Sequence, residues 1–172
     1  MVAVSRQPNR LRILGIDPGS RITGYGVIDK VGDAVRFVSC GAIRVSAAAS
    51  FPVRLQEIHT GIVEVIATLR PDVAAVEDIF VAVNPRSALK LGHARGVLIL
   101  AAMEQGLPVH EYAARMVKQA VAGYGQASKA QVQQMVRAIL SLSGSPSEDA
   151  ADGLAVALCH ANHCNSLQTI VS

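Results

Sequence analysis

The residues best placed to do chemistry are four acids. Asp17 ends an apolar run, Leu11–Asp17, and is followed at once by Pro18 and Gly19. Glu77 ends a second apolar run that opens at Val73. Asp149 and Asp152 are three apart in a stretch with helical character, so they share a helix face. The chain holds 13 acids in 172 residues, few enough to weigh each placement separately. If both runs are parallel strands, Asp17 and Glu77 lie at one carboxyl edge of the sheet, where ligand sites form. Clustered carboxylates repel and raise each other's pKa values. A divalent cation relieves that repulsion, and carboxylate oxygens are the donors that magnesium takes. Two such ions about 3.5–4 Å apart activate a water and stabilise the leaving oxygen of a phosphodiester. The pattern points to metal-assisted phosphodiester cleavage. Plainer readings stand beside it. An Asp before Pro-Gly is a common turn residue, and a Glu can end a strand in solvent. Acids also favour the positive dipole end of a helix, which suits Glu148 and Asp149. Ser145 and Glu148 have capping-box spacing, and Glu148 is assigned to that role.

Basic residues surround this set. From Tyr112 to Ser147 there is no acid, while Arg115, Lys118, Lys129 and Arg137 all fall there. Lys118 and Lys129, with Arg115, read as phosphate contacts, which position a backbone without reading sequence; a solvated surface Lys is the plain alternative. Arg86, Lys90 and Arg95 extend the same surface, unless Arg95 lies in a dimer interface. Phe80 follows Glu77 by three residues and opens a loop containing Asn84 and Pro85. There it stacks on an unpaired base or is an ordinary core phenylalanine. Gly92 and Gly96 are four apart on a helix that their presence weakens by about 1 kcal/mol each. They mark a close helix approach, either between two chains or against the chain's own sheet. Cys159, His160, His163 and Cys164 fall within one helix, where neighbouring side chains diverge. Buried cysteines and exposed histidines explain them better than a zinc site needing four converging ligands.

The elements that must position these groups follow from periodicity. Leu11–Asp17, Ile22–Asp29 and Val35–Ala42 read as three strands joined by the turns at Pro18–Ser20 and Gly32–Asp33, an antiparallel meander. After Ser50 and Pro52, the residues Leu55, Ile58, Ile62, Val65 and Leu69 recur at helical spacing. Val73–Val76 is a continuous apolar run suited to a strand covered on both faces. Arg86–Gln105 is a long helix, and Val109–Tyr112 a short strand. Helices over Ala113–Ala122, Ser128–Leu142 and Ser147–Asn162 complete the order. Helical crossovers join parallel neighbours, so the first, fourth and fifth strands lie side by side.

A chain of this length favours one domain with its own core. We expect a tail over residues 1–10, a domain over 11–165 and a second tail over 166–172. Aromatics make up only 3% of the chain, so Ala, Val, Leu and Ile must build the core. There is no apolar run of spanning length and no secretory signal pattern in Met1–Arg10. Cys40, Cys159 and Cys164 are an odd number without a disulfide framework, which fits a reducing, cytoplasmic setting. A net charge of +3 and a pI of about 9.0 are a mild sign of nucleic acid.

Several motifs, in order, resemble those of the RuvC family of Holliday-junction resolvases. They are Leu14-Gly15-Ile16-Asp17-Pro18-Gly19-Ser20-Arg21 continuing to Thr23-Gly24-Tyr25-Gly26, then Val76-Glu77-Asp78-Ile79-Phe80. Ser87-Ala88-Leu89-Lys90-Leu91-Gly92-His93-Ala94-Arg95-Gly96, Glu111-Tyr112-Ala113-Ala114-Arg115 and Asp149-Ala150-Ala151-Asp152-Gly153-Leu154-Ala155 follow. The resemblance spans Leu11 to His160. It implies an RNase H-like fold: a five-stranded mixed sheet, three strands antiparallel and two parallel, flanked by helices. It also implies a homodimer that nicks two opposed strands of a four-way DNA junction during recombination and repair. Two Mg2+ per active site, with Mn2+ as a substitute, would be held by Asp17, Glu77, Asp149 and Asp152. The family's functional lysines fall on Lys118 and Lys129 and its aromatic on Phe80. Cooperation with a branch-migration complex, a junction-binding protein plus a hexameric ATPase, is implied as well. The alternatives are an RNase H-like nuclease acting on RNA, a non-catalytic junction binder, and a single-domain ATP-binding module of the actin type.

Overall fold

The structure is a computed structural model that describes residues 9–79 and 84–168. Phe80 lies outside the described residues. Strands β1 (Arg10–Asp17), β2 (Ile22–Val31) and β3 (Ala34–Arg44) are followed by helix α1 (Phe51–Leu69) and strand β4 (Val73–Asp78). Helix α2 (Pro85–Glu104) and strand β5 (Val109–Ala113) come next. The chain then runs through α3 (Ala114–Ala122), α4 (Lys129–Ile139) and α5 (Glu148–Gln168). The sheet has five strands in the order β3-β2-β1-β4-β5. β1 pairs antiparallel with β2 and parallel with β4, and β4 is parallel to β5. The meander and the parallel trio thus meet at β1, as the helical crossovers require. Arg10 is already paired with Val31, and α5 continues to Gln168. Both expected tails therefore give up residues to regular structure.

Period-two alternation divides the core into two layers. Ile13, Val73 and Ala75 face the side covered by α3, α4 and α5. Leu14, Ile16, Ala74 and Val76 face the side covered by α1 and α2. By the same alternation, Asp17 and Glu77 project toward α5, and Asp78 projects toward α2.

Local chemistry starts and stops the helices. Pro52 enters α1 in its first turn, Ile58, Ile62 and Ile66 form its buried stripe, and Arg70 ends it in the left-handed region at φ 50°. Asn84 caps α2 by accepting from the Arg86 amide. α4 begins with a capping box in which Ser128 and Gln131 bond each other's backbone amides. α5 is capped by Ser147, whose hydroxyl accepts from the Ala150 amide at 3.3 Å. The expected Ser145–Glu148 box does not form: the helix starts two residues later than that pairing needs, and Glu148 reaches Lys129 instead.

Glycines bring α5 against the sheet at backbone distance. A Cβ on Gly15 would fall on the Gly153 carbonyl oxygen and the Ala157 amide nitrogen, and one on Gly26 would fall on the Leu154 backbone. At the opposite end of β1, Arg12 grips Asp29 through two bonds of 2.7 and 2.8 Å. The guanidinium holds the Asp29 carboxyl below its ordinary range.

Candidate active site

Asp17 and Glu77 stand one strand apart, because Ile16 pairs with Val76 in the parallel register of β1 and β4. The glycine contacts bring the first turns of α5 over the same edge, and Gly24, opposite Asp17 in β2, lies directly beneath the Asp149 backbone. A cleft of about 220 Å³ opens there, lined by Asp17, Glu77 and Asp152 together with Lys118 and Lys129. Its floor is apolar, made by Val117, Val132 and Ala155 among others. Asp149 lies at the rim, its side chain 32% exposed and 3.7 Å from Arg44. A larger hollow of about 640 Å³ lies between β3 and the segment 139–146, but its ionisable lining is limited to Arg36 and Cys40. Volume is therefore a poor guide to chemistry in this fold.

The electrostatics of the cleft differ from those of the Arg12–Asp29 pair. Burial, then the charge of Asp152, pushes the Asp17 carboxyl up to about 6, against a shared hydrogen bond with Glu77 and the nearby Lys129. Burial and the charges of Asp17 and Asp152 push Glu77 up to about 8. The hydrogen bond between them raises Glu77 and lowers Asp17, so Glu77 donates and Asp17 accepts. Asp152 is raised mainly by burial despite Lys129, whose ammonium lies 3.0 Å away. Asp29, Asp78 and Glu111 elsewhere on the sheet are paired with arginine, whereas Asp17 and Glu77 are buried beside each other's charge and that of Asp152.

Carboxylate oxygens at a half-buried sheet edge are the donor set a hard divalent cation takes, and such a cation would remove the repulsion. Asp17, Glu77 and Asp152 offer that set, with Asp149 one helical turn from Asp152. Among the described residues, no three such groups stand ready to hold a metal ion as they are. Each of these carboxylates has a partner within the chain. Lys129 occupies Asp152, Glu77 spends a proton on Asp17, and Asp149 leans toward Arg44. The donors fit; their present partners must give way.

The other sequence-derived candidates separate clearly. Arg115 is exposed on the first turn of α3, its stem lying along Gly125. Arg86 is exposed at the start of α2. Lys90 points to α1, its ammonium 5.9 Å from the Phe51 ring centre, and so does not extend the cleft. Arg95 does not extend a phosphate surface, because its side chain is largely buried against Asp78 and Glu111. Gly92 and Gly96 are exposed, and a Cβ on either meets nothing within 4 Å. Packing against the chain's own sheet is thereby ruled out; Ala94, Leu98, Ala101 and Ala102 make that contact. His160 is buried rather than exposed. Its ring bonds the Tyr112 hydroxyl at 2.7 Å and the Cys164 sulfur at 3.2 Å, and burial lowers its pKa to about 4. Cys40, Cys159 and Cys164 are free thiols. The glycine contacts that seat α5 were missed in the sequence reading, although the alternation of Gly24 and Gly26 on one strand face was their signal.

Comparison with known proteins identifies the family of the chain and relatives of its fold. The profile of a family described as crossover junction endodeoxyribonuclease RuvC matches residues 13–160. The crossover junction endodeoxyribonuclease RuvC of Citrifermentans bemidjiense is 60% identical over 150 residues, covering 87% of this chain and 92% of the relative. That of Cupriavidus metallidurans is 54% identical over 160 residues, covering 93% and 88%. Among solved structures, Thermus thermophilus RuvC in complex with a Holliday junction substrate superposes with a TM-score of 0.84 at 37% identity, covering 91% of this chain and 96% of that one. The yeast mitochondrial Holliday junction resolvase Ydc2, at 14% identity and a TM-score of 0.68, shares the fold. The chain is a member of the RuvC family of crossover junction endodeoxyribonucleases.

Proposed function

We propose that the protein resolves four-way DNA junctions by metal-dependent nicking of two opposed strands, with Asp17, Glu77, Asp149 and Asp152 holding two magnesium ions at each active site and manganese able to replace them. The observation that carries this reading is the cleft in which burial and mutual repulsion hold Asp17 at about 6 and Glu77 at about 8. When bound, magnesium supplies positive charge that activates the attacking water and offsets charge on the leaving oxygen. The chain's own groups supply the rest. Asp17 and Glu77, fixed at adjacent strand ends, orient the donor oxygens. Lys118 and Lys129 border the carboxylates where the phosphates of a strand laid over the cleft would pass, with Arg115 and Arg86 further out. Phe80 is proposed to stack on a base unpaired at the junction centre.

Paired incision needs two active sites, and each chain has one acidic cleft. The second comes from a second copy related by a two-fold axis. The face of α2 supports this assembly. Leu89, Leu100 and Met103 are 64%, 55% and 62% exposed. With Gly92 and Gly96 they form one stripe at helical spacing, apolar at its ends and free of side chains at its centre. A junction-binding protein and a hexameric ATPase are proposed as the partners that present the junction. No helix of the described residues is long and apolar enough to cross a membrane, and a cytoplasmic setting is proposed. The deciding experiment incubates the protein with a synthetic four-way junction and magnesium, beside linear duplex, single-stranded and matched RNA substrates. Paired nicks in the DNA junction alone support the proposal, whereas preferential RNA cleavage or indifference to branching refutes it.

A further inference from the structure

Arg95 lies on α2, on the opposite face of the sheet from the acidic cleft. Its Nε donates to the main-chain carbonyl of Glu77 at 3.2 Å. Its Nη2 lies 3.3 Å from Asp78 Oδ1 and also bonds Glu111 Oε2. The side chain is 16% exposed, while both carboxylates are 53% exposed. Asp78 is the last residue of β4, and Glu111 on β5 pairs with Val76, two residues earlier on the same strand face. One guanidinium therefore ties the end of β4 and the middle of β5 to one helix, and one of its three acceptors is the backbone of Glu77.

The geometry points to Arg95 as a positioning residue that holds Glu77 from behind, through its carbonyl, so that the backbone from which the glutamate side chain enters the cleft is fixed. The inference rests on the reading of Glu77 as a metal-binding acid. Strand alternation places the grip and the carboxylate on opposite faces, so Arg95 restrains the peptide without competing for the cleft. It also occupies Asp78 and Glu111, two acids near the same edge that would otherwise be free to attract a cation. A planar fork with several fixed donors suits three acceptors on two strands; a lysine ammonium has neither its spread nor its directionality. Because Arg95 is next to Gly96, the outward face of the same helix turn belongs to the stripe proposed to meet the second copy. The seating of α2 is thus mechanically joined to the backbone of Glu77.

The test compares Arg95→Gln and Arg95→Lys with the parent. Manganese binding is measured by titration calorimetry without DNA, and amide hydrogen exchange is followed across residues 73–79. Single-turnover cutting is measured at saturating junction over a range of magnesium concentrations. Loss of a group that orients a ligand weakens metal affinity or activity by roughly 10–100-fold. A rise of that size is expected in the manganese dissociation constant and in the magnesium needed for half-maximal cutting. Exchange at the end of β4 should be faster, with junction affinity in calcium unchanged. Should Arg95→Gln fold poorly, Arg95→Lys keeps a charge beside Asp78 and Glu111 without the fork, and the same rise is expected. Parent-like metal binding and magnesium dependence, even with a lowered melting temperature, overturns the proposal and leaves Arg95 a structural tie. Glu77→Gln runs alongside. If it cuts like the parent, the catalytic reading itself fails; if it is inactive while the Arg95 variants match the parent, the positioning role alone fails.

Discussion

Replacing Asp17 with asparagine should stabilise the metal-free protein while abolishing cleavage. Moving Asp17 from its ordinary 3.8 to about 6 amounts to about 3 kcal/mol against its ionised form. Solvent at the open side of the cleft reduces this to about 1–2 kcal/mol. The sign follows from proton linkage. The unfolded chain releases the Asp17 proton near pH 4 and the folded chain keeps it to about 6; Glu77 behaves alike up to about 8. The folded state binds more protons across this window, so the parent's stability falls as pH rises through it. Asp17→Asn removes a buried carboxylate charge and with it the repulsion of Glu77 and Asp152. Its gain over the parent should be nil below about pH 4 and complete above about pH 6. At pH 8 with a chelator, at roughly 2–4 °C per kcal/mol for a chain this size, it should melt about 2–8 °C higher. Magnesium reverses the order, because binding at a hundred times the dissociation constant adds about 2.7 kcal/mol to the parent and less to a variant lacking one ligand. Thermal melts in chelator and in magnesium, paired with a junction-cutting assay, test all three parts. A variant no more stable than the parent in chelator, or a gap that magnesium leaves unchanged, refutes the argument that Asp17 is a strained metal ligand.

Lys118→Ala and Lys129→Ala should each weaken junction binding and flatten its salt dependence by about one unit of log–log slope; unchanged slopes in a salt titration would make them ordinary surface charges. Gly92→Leu or Gly96→Leu has open space within its own chain, so circular dichroism should be unaffected. The added bulk should overpack the α2 stripe by about 1–3 kcal/mol, and sedimentation should then shift toward monomer with loss of paired incision; a persistent dimer cutting both strands places the interface elsewhere. Gly15→Ala should cost about 3 kcal/mol or more in chemical denaturation, because the new methyl meets the backbone of α5 rather than a side chain able to move; near-parent stability contradicts the close approach.

Element order and strand neighbours were legible in the sequence because they depend on local periodicity and on the short reach of connections. Val73–Val76 shows the reasoning at its best: a run with no polar face can only be a strand covered on both sides. Asp17 and Glu77 were legible for the same reason, since a parallel pairing of their strands leaves little choice about the edge they reach. Contacts fixed by side-chain reach were not. Arg95 lies in a basic stretch, and nothing in its spacing says that it turns inward to Asp78 and Glu111. Ser147 and Ser145 both fit a cap by composition, and the choice between them depends on where α5 meets the sheet. His160 has the spacing of an exposed residue by analogy with its neighbours, yet it is buried because Tyr112, a strand residue 48 positions away, supplies its partner.

The glycine seating of α5 has a consequence in torsional terms. An aspartate carboxylate is placed by two side-chain torsions, a glutamate carboxylate by three. Because α5 touches β1 and β2 through main-chain atoms, the Cα positions of Asp149 and Asp152 are set against that of Asp17 without intervening rotamers. Three of the four acids proposed to hold metal therefore inherit the stiffness of the backbone, and adjustable reach is concentrated in Glu77. Any change in carboxylate spacing between resting and working states must then be taken up mainly by one side chain. Lengthening an aspartate by a single methylene would introduce a soft torsion where the architecture has removed one.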